Sequence, residues 1–222
     1  MKKITQTCVC LALGWILILP ISAQGQGDDS RFGIKAGVNL SNFYKESLGD
    51  QNLRLGFNVG IFTELAVSES FSIQPELLFT TKGNQISYDE GDNLFQDLVE
   101  GDPQAFTGDV ETNLSYIELP LLAKFTISEV LNLHVGPYLS YLLDASTQVD
   151  GTLEDRLGEL DRKGFNTWDY GVVAGIAADL NLVTIGFRYD LGLRGITEDA
   201  VWEGLINDRK NQALQFYVGV GL

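Results

Sequence analysis

The sequence predicts an all-β protein, specifically an eight-stranded antiparallel up-and-down transmembrane β-barrel. Three observations predict it. Apolar and polar residues alternate with period two in eight runs, no helix-length apolar stretch follows Ile21, and short and long connections alternate along the chain.

The first segment is of a different kind. Met1-Lys2-Lys3, the apolar stretch Val9 to Ile21 and then Ser22-Ala23-Gln24 supply the charged, apolar and small-residue parts of a secretory signal, so residues 1–23 are expected to be a signal peptide cleaved near Ala23. The apolar stretch is shorter than the roughly 20 residues of a spanning helix, and Pro20 stands at its end. Residues 24–30 form a short N-terminal segment and 31–222 the barrel domain. Cys8 and Cys10 both fall in the signal, leaving an exported chain without disulfides. Losing Lys2 and Lys3 leaves 13 basic against 30 acidic residues, a formal charge of −17 instead of −15, which argues against a nucleic-acid partner.

In the first run, Arg31 to Ser41, residues Phe32, Ile34, Ala36, Val38 and Leu40 share one face and Gly33, Lys35, Gly37, Asn39 and Ser41 the other. Arg54 to Leu65 repeats the pattern. In the third run Phe71, Ile73, Pro75, Leu77 and Phe79 oppose Ser72, Gln74, Glu76, Leu78 and Thr80, and Pro75, which lacks a ladder donor, suggests a bulge. The remaining runs are Leu114 to Phe125, Leu131 to Leu143, Trp168 to Leu180, Leu182 to Leu193, and a last one ending at Leu222.

Three connections, around Ala66 to Ser70, Thr126 to Val130 and Asp179 to Leu182, are short. Four are long: Asn42 to Leu53, Gly83 to Thr112, Asp144 to Asn166 and Arg194 to Asn211. Outer-membrane barrels alternate periplasmic turns and external loops in this way.

Glycine decides which face is inside. Gly33, Gly37, Gly56, Gly60, Gly136, Gly171, Gly175, Gly186, Gly192, Gly219 and Gly221 all share the polar phase. An eight-stranded barrel has an interior just wide enough for side chains, so small residues there leave room for long charged ones, and the apolar phase is assigned to lipid. Phe32, Phe71, Phe79, Phe125, Tyr141, Trp168, Tyr170 and Tyr189, on the outward phase near strand ends, suit two interfacial girdles.

The run Phe32-Gly33-Ile34-Lys35-Ala36-Gly37-Val38-Asn39-Leu40-Ser41-Asn42 resembles the opening strand of the porin-family outer-membrane β-barrel proteins. Tyr116-Ile117-Glu118-Leu119-Pro120-Leu121-Leu122 and Gly136-Pro137-Tyr138-Leu139-Ser140-Tyr141-Leu142-Leu143 are similar to that family's middle strands. The resemblance implies an OmpA/OmpX-like barrel in the envelope of a Gram-negative cell, and most members of the family carry no assigned activity. Assembly-targeted barrels commonly end in an aromatic residue, whereas this chain ends in Leu222.

The lumen-facing charges Lys35, Arg54, Glu76, Glu118, Lys124, Arg188 and Asp190 could line an ion path, but in so narrow a barrel opposite charges are expected to pair and plug it. His134, the sole histidine, is expected on the lumen side near the short-turn end. No Ser/His/Asp arrangement is readable at the external rim, where an envelope enzyme acting on lipid would need one, so no catalytic residue is assigned. The loop after Gly83 carries Asp89, Glu90, Asp92, Asp97, Glu100, Asp102, Asp109 and Glu111 without a lysine or arginine, an acidic extracellular loop that could attract a divalent cation or a basic protein. Its spacing does not match a calcium loop of the EF-hand kind, so neither a metal nor a cofactor site is assigned. Phe95, Leu98 and Phe106 are candidates for a partner-contact ridge or for packing over the barrel mouth.

The expected function is that of a non-enzymatic, monomeric outer-membrane β-barrel in contact with outer-membrane lipid, with an envelope-structural or surface-interaction role carried by its acidic loops. The alternatives are a low-conductance pore for small solutes and a soluble lipocalin-like ligand-binding barrel.

Overall fold

The computed structural model describes residues 30–44, 51–88, 108–149, 165–196 and 210–222. The signal segment and residues 24–29 lie outside them, as do Asp89, Glu90, Asp92, Phe95, Asp97, Leu98, Glu100, Asp102 and Phe106. Eight long strands are present: β1 (Arg31–Tyr44), β2 (Arg54–Ser68), β3 (Phe71–Tyr88), β4 (Gly108–Thr126), β5 (Leu131–Val149), β6 (Trp168–Leu180), β7 (Val183–Gly195) and β8 (Lys210–Gly221). Each pairs antiparallel with its sequence neighbours, and β1 pairs with β8, which closes the barrel. Closure removes both sheet edges and satisfies the backbone without water, as a lipid surround demands. A two-residue piece, Gln51–Asn52, adds to β3 at the long-loop end.

The register fixes the tilt. From Thr80, cross-strand partners run through Asn58, Gly37, Tyr217, Gly186, Ala177, Asn132 and Thr126, whose N–H bonds to Ser70. One circuit thus returns ten residues lower, a stagger that tilts the strands by roughly 40° to the axis.

Along every strand the apolar phase is exposed and the polar phase buried: Ile34 is 53% and Phe216 51% exposed, against 2% for Lys35 and 0% for Arg188. This is the inverse of a soluble ligand-binding barrel, and it follows from the solvent being hydrocarbon. Aromatics pair on the outward surface at two levels, Phe71 with Phe125 (5.1 Å) near the turns and Tyr141 with Trp168 (5.0 Å) nearer the loops.

Three expectations need correction. Pro75 interrupts the β2–β3 ladder without a bulge, since Phe62 with Glu76 and Leu65 with Ile73 keep one register; the shift falls between Ala66 and Ser68, beside the turn. The strands also run past the predicted loop boundaries, β3 to Tyr88 and β4 back to Gly108, so Asp109 and Glu111 stand on a strand and not in a loop. Beyond the lipid no solvent requires an apolar phase, so the alternation fades while backbone pairing, such as Gly83 with Asn113, continues. Finally, the inward glycines make room for rings more than for charged chains. A Cβ on Gly171 would lie 2.7 Å from Tyr138 and one on Gly186 2.2 Å from Tyr217.

The β6–β7 turn depends on Asn181, at φ 56°, a left-handed conformation that asparagine tolerates and β-branched residues do not. Asn181→Val is expected to destabilise the barrel by about 1–2 kcal/mol and Asn181→Gly to leave it unchanged, both read by urea unfolding in detergent micelles.

Candidate functional site

The lumen holds nearly all the buried polar chemistry of the described residues, because inward side chains from eight strands converge on a space too narrow for bulk water. Its contents are arranged in four levels from the short-turn end upward.

At the turn end Lys124 Nζ contacts Glu64 Oε2 at 2.8 Å and Asp179 Oδ2 at 2.9 Å, tying β4 to β2 and β6. Both carboxylates accept further bonds, Glu64 from the Ser72 hydroxyl and Asp179 from Thr184 and the Asn132 amide. Above this level the Arg188 guanidinium grips Glu76 with two bonds of 2.9 and 3.0 Å, and Lys35 Nζ adds bonds of 2.9 and 3.1 Å from the other side. Gln74 donates a fifth. Both cations also face the Tyr217 ring, Lys35 at 3.8 Å and Arg188 at 4.7 Å. One fully buried carboxylate is therefore shared by two cations, and the ring's negative face takes up part of the excess positive charge.

The third level joins Lys82 to Glu118 (2.6 Å) and Asp190 (3.3 Å), over the Tyr138 ring at 4.5 Å. Ser140 donates to Glu118 and Gln215 to Asp190. Beside it, the Asn39 amide bonds to Thr80 and to the Phe57 and Thr81 carbonyls. At the loop end the lumen turns apolar: Phe43, Leu114, Leu142, Phe165 and Ile196 are buried together with Tyr116. Phe165 is held there by Asn166, whose N–H and amide bond to the Ile196 and Gly195 carbonyls.

Of the charges predicted to share the lumen, Lys35, Glu76 and Arg188 form one cluster, Glu118 and Asp190 a second, and Lys124 a third. Arg54 stands apart, largely covered at the loop end, where it pairs with Glu111 at 2.8 Å. Glu111, predicted as part of a free acidic loop, is thus an ion-pair partner on β4. The sequence expectations left out Lys82, Glu64, Asp179 and Asp169, the last of which accepts from the Asn211 amide and the Tyr138 hydroxyl. Lys82 was within reach, since it continues the inward phase of Glu76 and Thr80 one step past the assumed strand end.

His134 is buried, its Nδ1 3.4 Å from the Asn132 side-chain oxygen and its ring edge-on to Tyr217. It borders a narrow cavity of about 10 Å³, shared with Lys35, Gln74 and Lys124, which is room for about one water. Below Lys124 a wider vestibule of about 330 Å³ opens at the short-turn end. Among the described residues no three His, Cys, Asp or Glu side chains are placed to hold a metal ion.

A family model described as outer membrane protein beta-barrel domain matches residues 22–198. No curated protein matches the sequence. Three solved structures are similar to it. Neisserial surface protein A is 16% identical, with 87% of this chain and 99% of that one covered and a TM-score of 0.49. Ail of Yersinia pestis is 13% identical with the same coverage and a TM-score of 0.47. OprG of Pseudomonas aeruginosa is 12% identical, covers 87% and 94%, and has a TM-score of 0.38. The apolar exterior, the closed register and the family match over most of the chain lead to one conclusion: this protein belongs to the outer membrane protein beta-barrel domain family and resides in the outer membrane.

Proposed function

We propose that the barrel is a non-conducting, non-enzymatic, monomeric scaffold in the outer membrane, and that its role, structural or in surface interaction, is carried by the external loops. The observation that carries the reading is the filling of the lumen. Three levels of ion pairs and one apolar cluster occupy it in series, and the largest fully buried side chains, Arg188, Tyr116 and Lys82, belong to three of those four levels. Water or an ion crossing the barrel would have to part several buried ion pairs in succession, each costly to break in a lipid-surrounded interior. A fold that fixes eight strands in this way leaves its loops as the variable part, and acidic residues between Asp89 and Asp102 would give that surface its charge.

Planar-bilayer recording tests it. Purified protein at saturating insertion is expected to give flat traces in molar salt. Discrete steps that change size in a Glu118→Gln or Arg188→Gln variant would instead establish the small-solute pore.

A further inference from the structure

We propose that the short-turn mouth of the barrel is a binding site for an oxyanion group, a phosphate in the first instance, held by Arg31. The proposal rests on what is satisfied in the vestibule and what is not. Arg31 begins β1 on the inward phase, and its guanidinium lies where a Cβ on Gly221 would be, 2.6 Å from that position. Gly221 therefore leaves the arginine a place against the barrel wall. Arg31 Nη2 is buried and has no hydrogen-bond partner.

The carboxylates beside it are engaged by other donors. Glu64 accepts from Ser72 and Lys124, and Asp179 from Thr184, Asn132 and Lys124, so all four carboxylate oxygens have donors of their own. The charges of Arg31, Lys124, Glu64 and Asp179 cancel, and Glu69 stands in solvent on the β2–β3 turn, where salt screens it. Arg31 Nη2 is the charged donor at this level that none of these oxygens engages. Buried donors left unmade are costly, and a charge-assisted bond to an oxyanion oxygen is the strongest available remedy.

The surroundings suit a phosphate. Ser30, Ser68 and Thr126 line the same vestibule with hydroxyls, and its volume of about 330 Å³ is at the lower end of small-molecule sites. Its floor is the Lys124 clamp, so a ligand would enter and leave from the turn end only, the periplasmic side of such a barrel. The phosphate could belong to a free solute or to an inner-leaflet lipid headgroup reaching over the rim.

The experiment uses the barrel folded in maltoside micelles, free of phosphate, with nitrogen-15 NMR of the Arg31 side-chain Nε–H and the Gly221 amide. Added inorganic phosphate at millimolar concentration is expected to shift both signals saturably, and Arg31→Gln to weaken the Gly221 response at least tenfold while keeping the heat-shifted folded band. In phospholipid nanodiscs without added phosphate, signals already at their bound positions assign the site to a lipid headgroup; signals that move only on phosphate addition assign it to a free solute. No saturable shift up to about 50 mM overturns the proposal. So does a Gly221 response unchanged in Arg31→Gln, which would mean an adventitious ion only.

Discussion

Glu76→Gln is expected to cost about 3–5 kcal/mol of folding stability, among the largest single-site losses in the barrel. The substitution keeps size and shape but removes the one carboxylate that five hydrogen bonds converge on, leaving Lys35 and Arg188 facing each other in a site that is under 5% exposed. The expected cost is that of an uncompensated buried charge, not of a lost contact. The two can be separated, because a Lys35→Met, Glu76→Met, Arg188→Met triple variant removes all three charges together and is expected to recover most of the loss. Urea titration in detergent, followed by tryptophan fluorescence and by the heat-dependent gel shift, measures both variants. A cost below about 1 kcal/mol for Glu76→Gln would mean that water reaches this level and screens the pair, and the lumen would then be far wetter than its packing indicates.

Gly186→Val is expected to be at least as damaging, at about 3 kcal/mol or more, through sterics alone. A Cβ on Gly186 would lie 2.2 Å from the Tyr217 ring carbon and 2.4 Å from its hydroxyl. The ring has nowhere to go: Lys35 and Arg188 lie over it and His134 meets it edge-on, so moving it disturbs the charge cluster as well. The same assay reads the effect as loss of the heat-shifted folded band. Pairing the milder Gly186→Ala with Tyr217→Ala frees the space and is expected to restore folding relative to Gly186→Ala alone. If the double variant is no better, backbone crowding and not the ring is what requires glycine there.

The position of Gly186 in the inward phase was legible in the sequence, but the reason for it was not. Glycines on the polar phase announce a crowded interior, while the crowding object, a tyrosine on the neighbouring strand, is identified only by the register of β7 against β8. The lumen charges behaved in the same way. That Lys35, Glu76, Glu118, Lys124, Arg188 and Asp190 point inward follows from period two on each strand taken alone. That Glu76 serves both Lys35 and Arg188 while Lys82 serves Glu118 and Asp190 depends on the ten-residue stagger around the barrel, which brings together residues as much as 112 positions apart.

The loop boundaries failed for a related reason. Side-chain alternation reports the solvent that a strand faces, so it marked where the strands leave lipid, whereas β3, β4 and β5 continue as a paired ladder in water. Arg54 and Glu111 meet at that extension, where Arg54 lies against Gly83 and Glu111 is an ion-pair partner on β4 instead of a loop residue. The apolar seal at the loop end was hidden as well, since it gathers one or two residues each from β1, β4, β5 and the stretches beside β6 and β7, none of them distinctive in its own run.

The sequence by itself therefore determined the fold class, the number of strands, the lipid-facing phase and, through them, the outer-membrane location, because each is a local consequence of a two-residue period and of the lengths of the connections. The tertiary structure alone decided which charges pair with which, where the lumen closes and where the Nη2 of Arg31 is left without an acceptor. Those depend on the shear of the closed sheet, a property of all eight strands together that no single run of residues encodes.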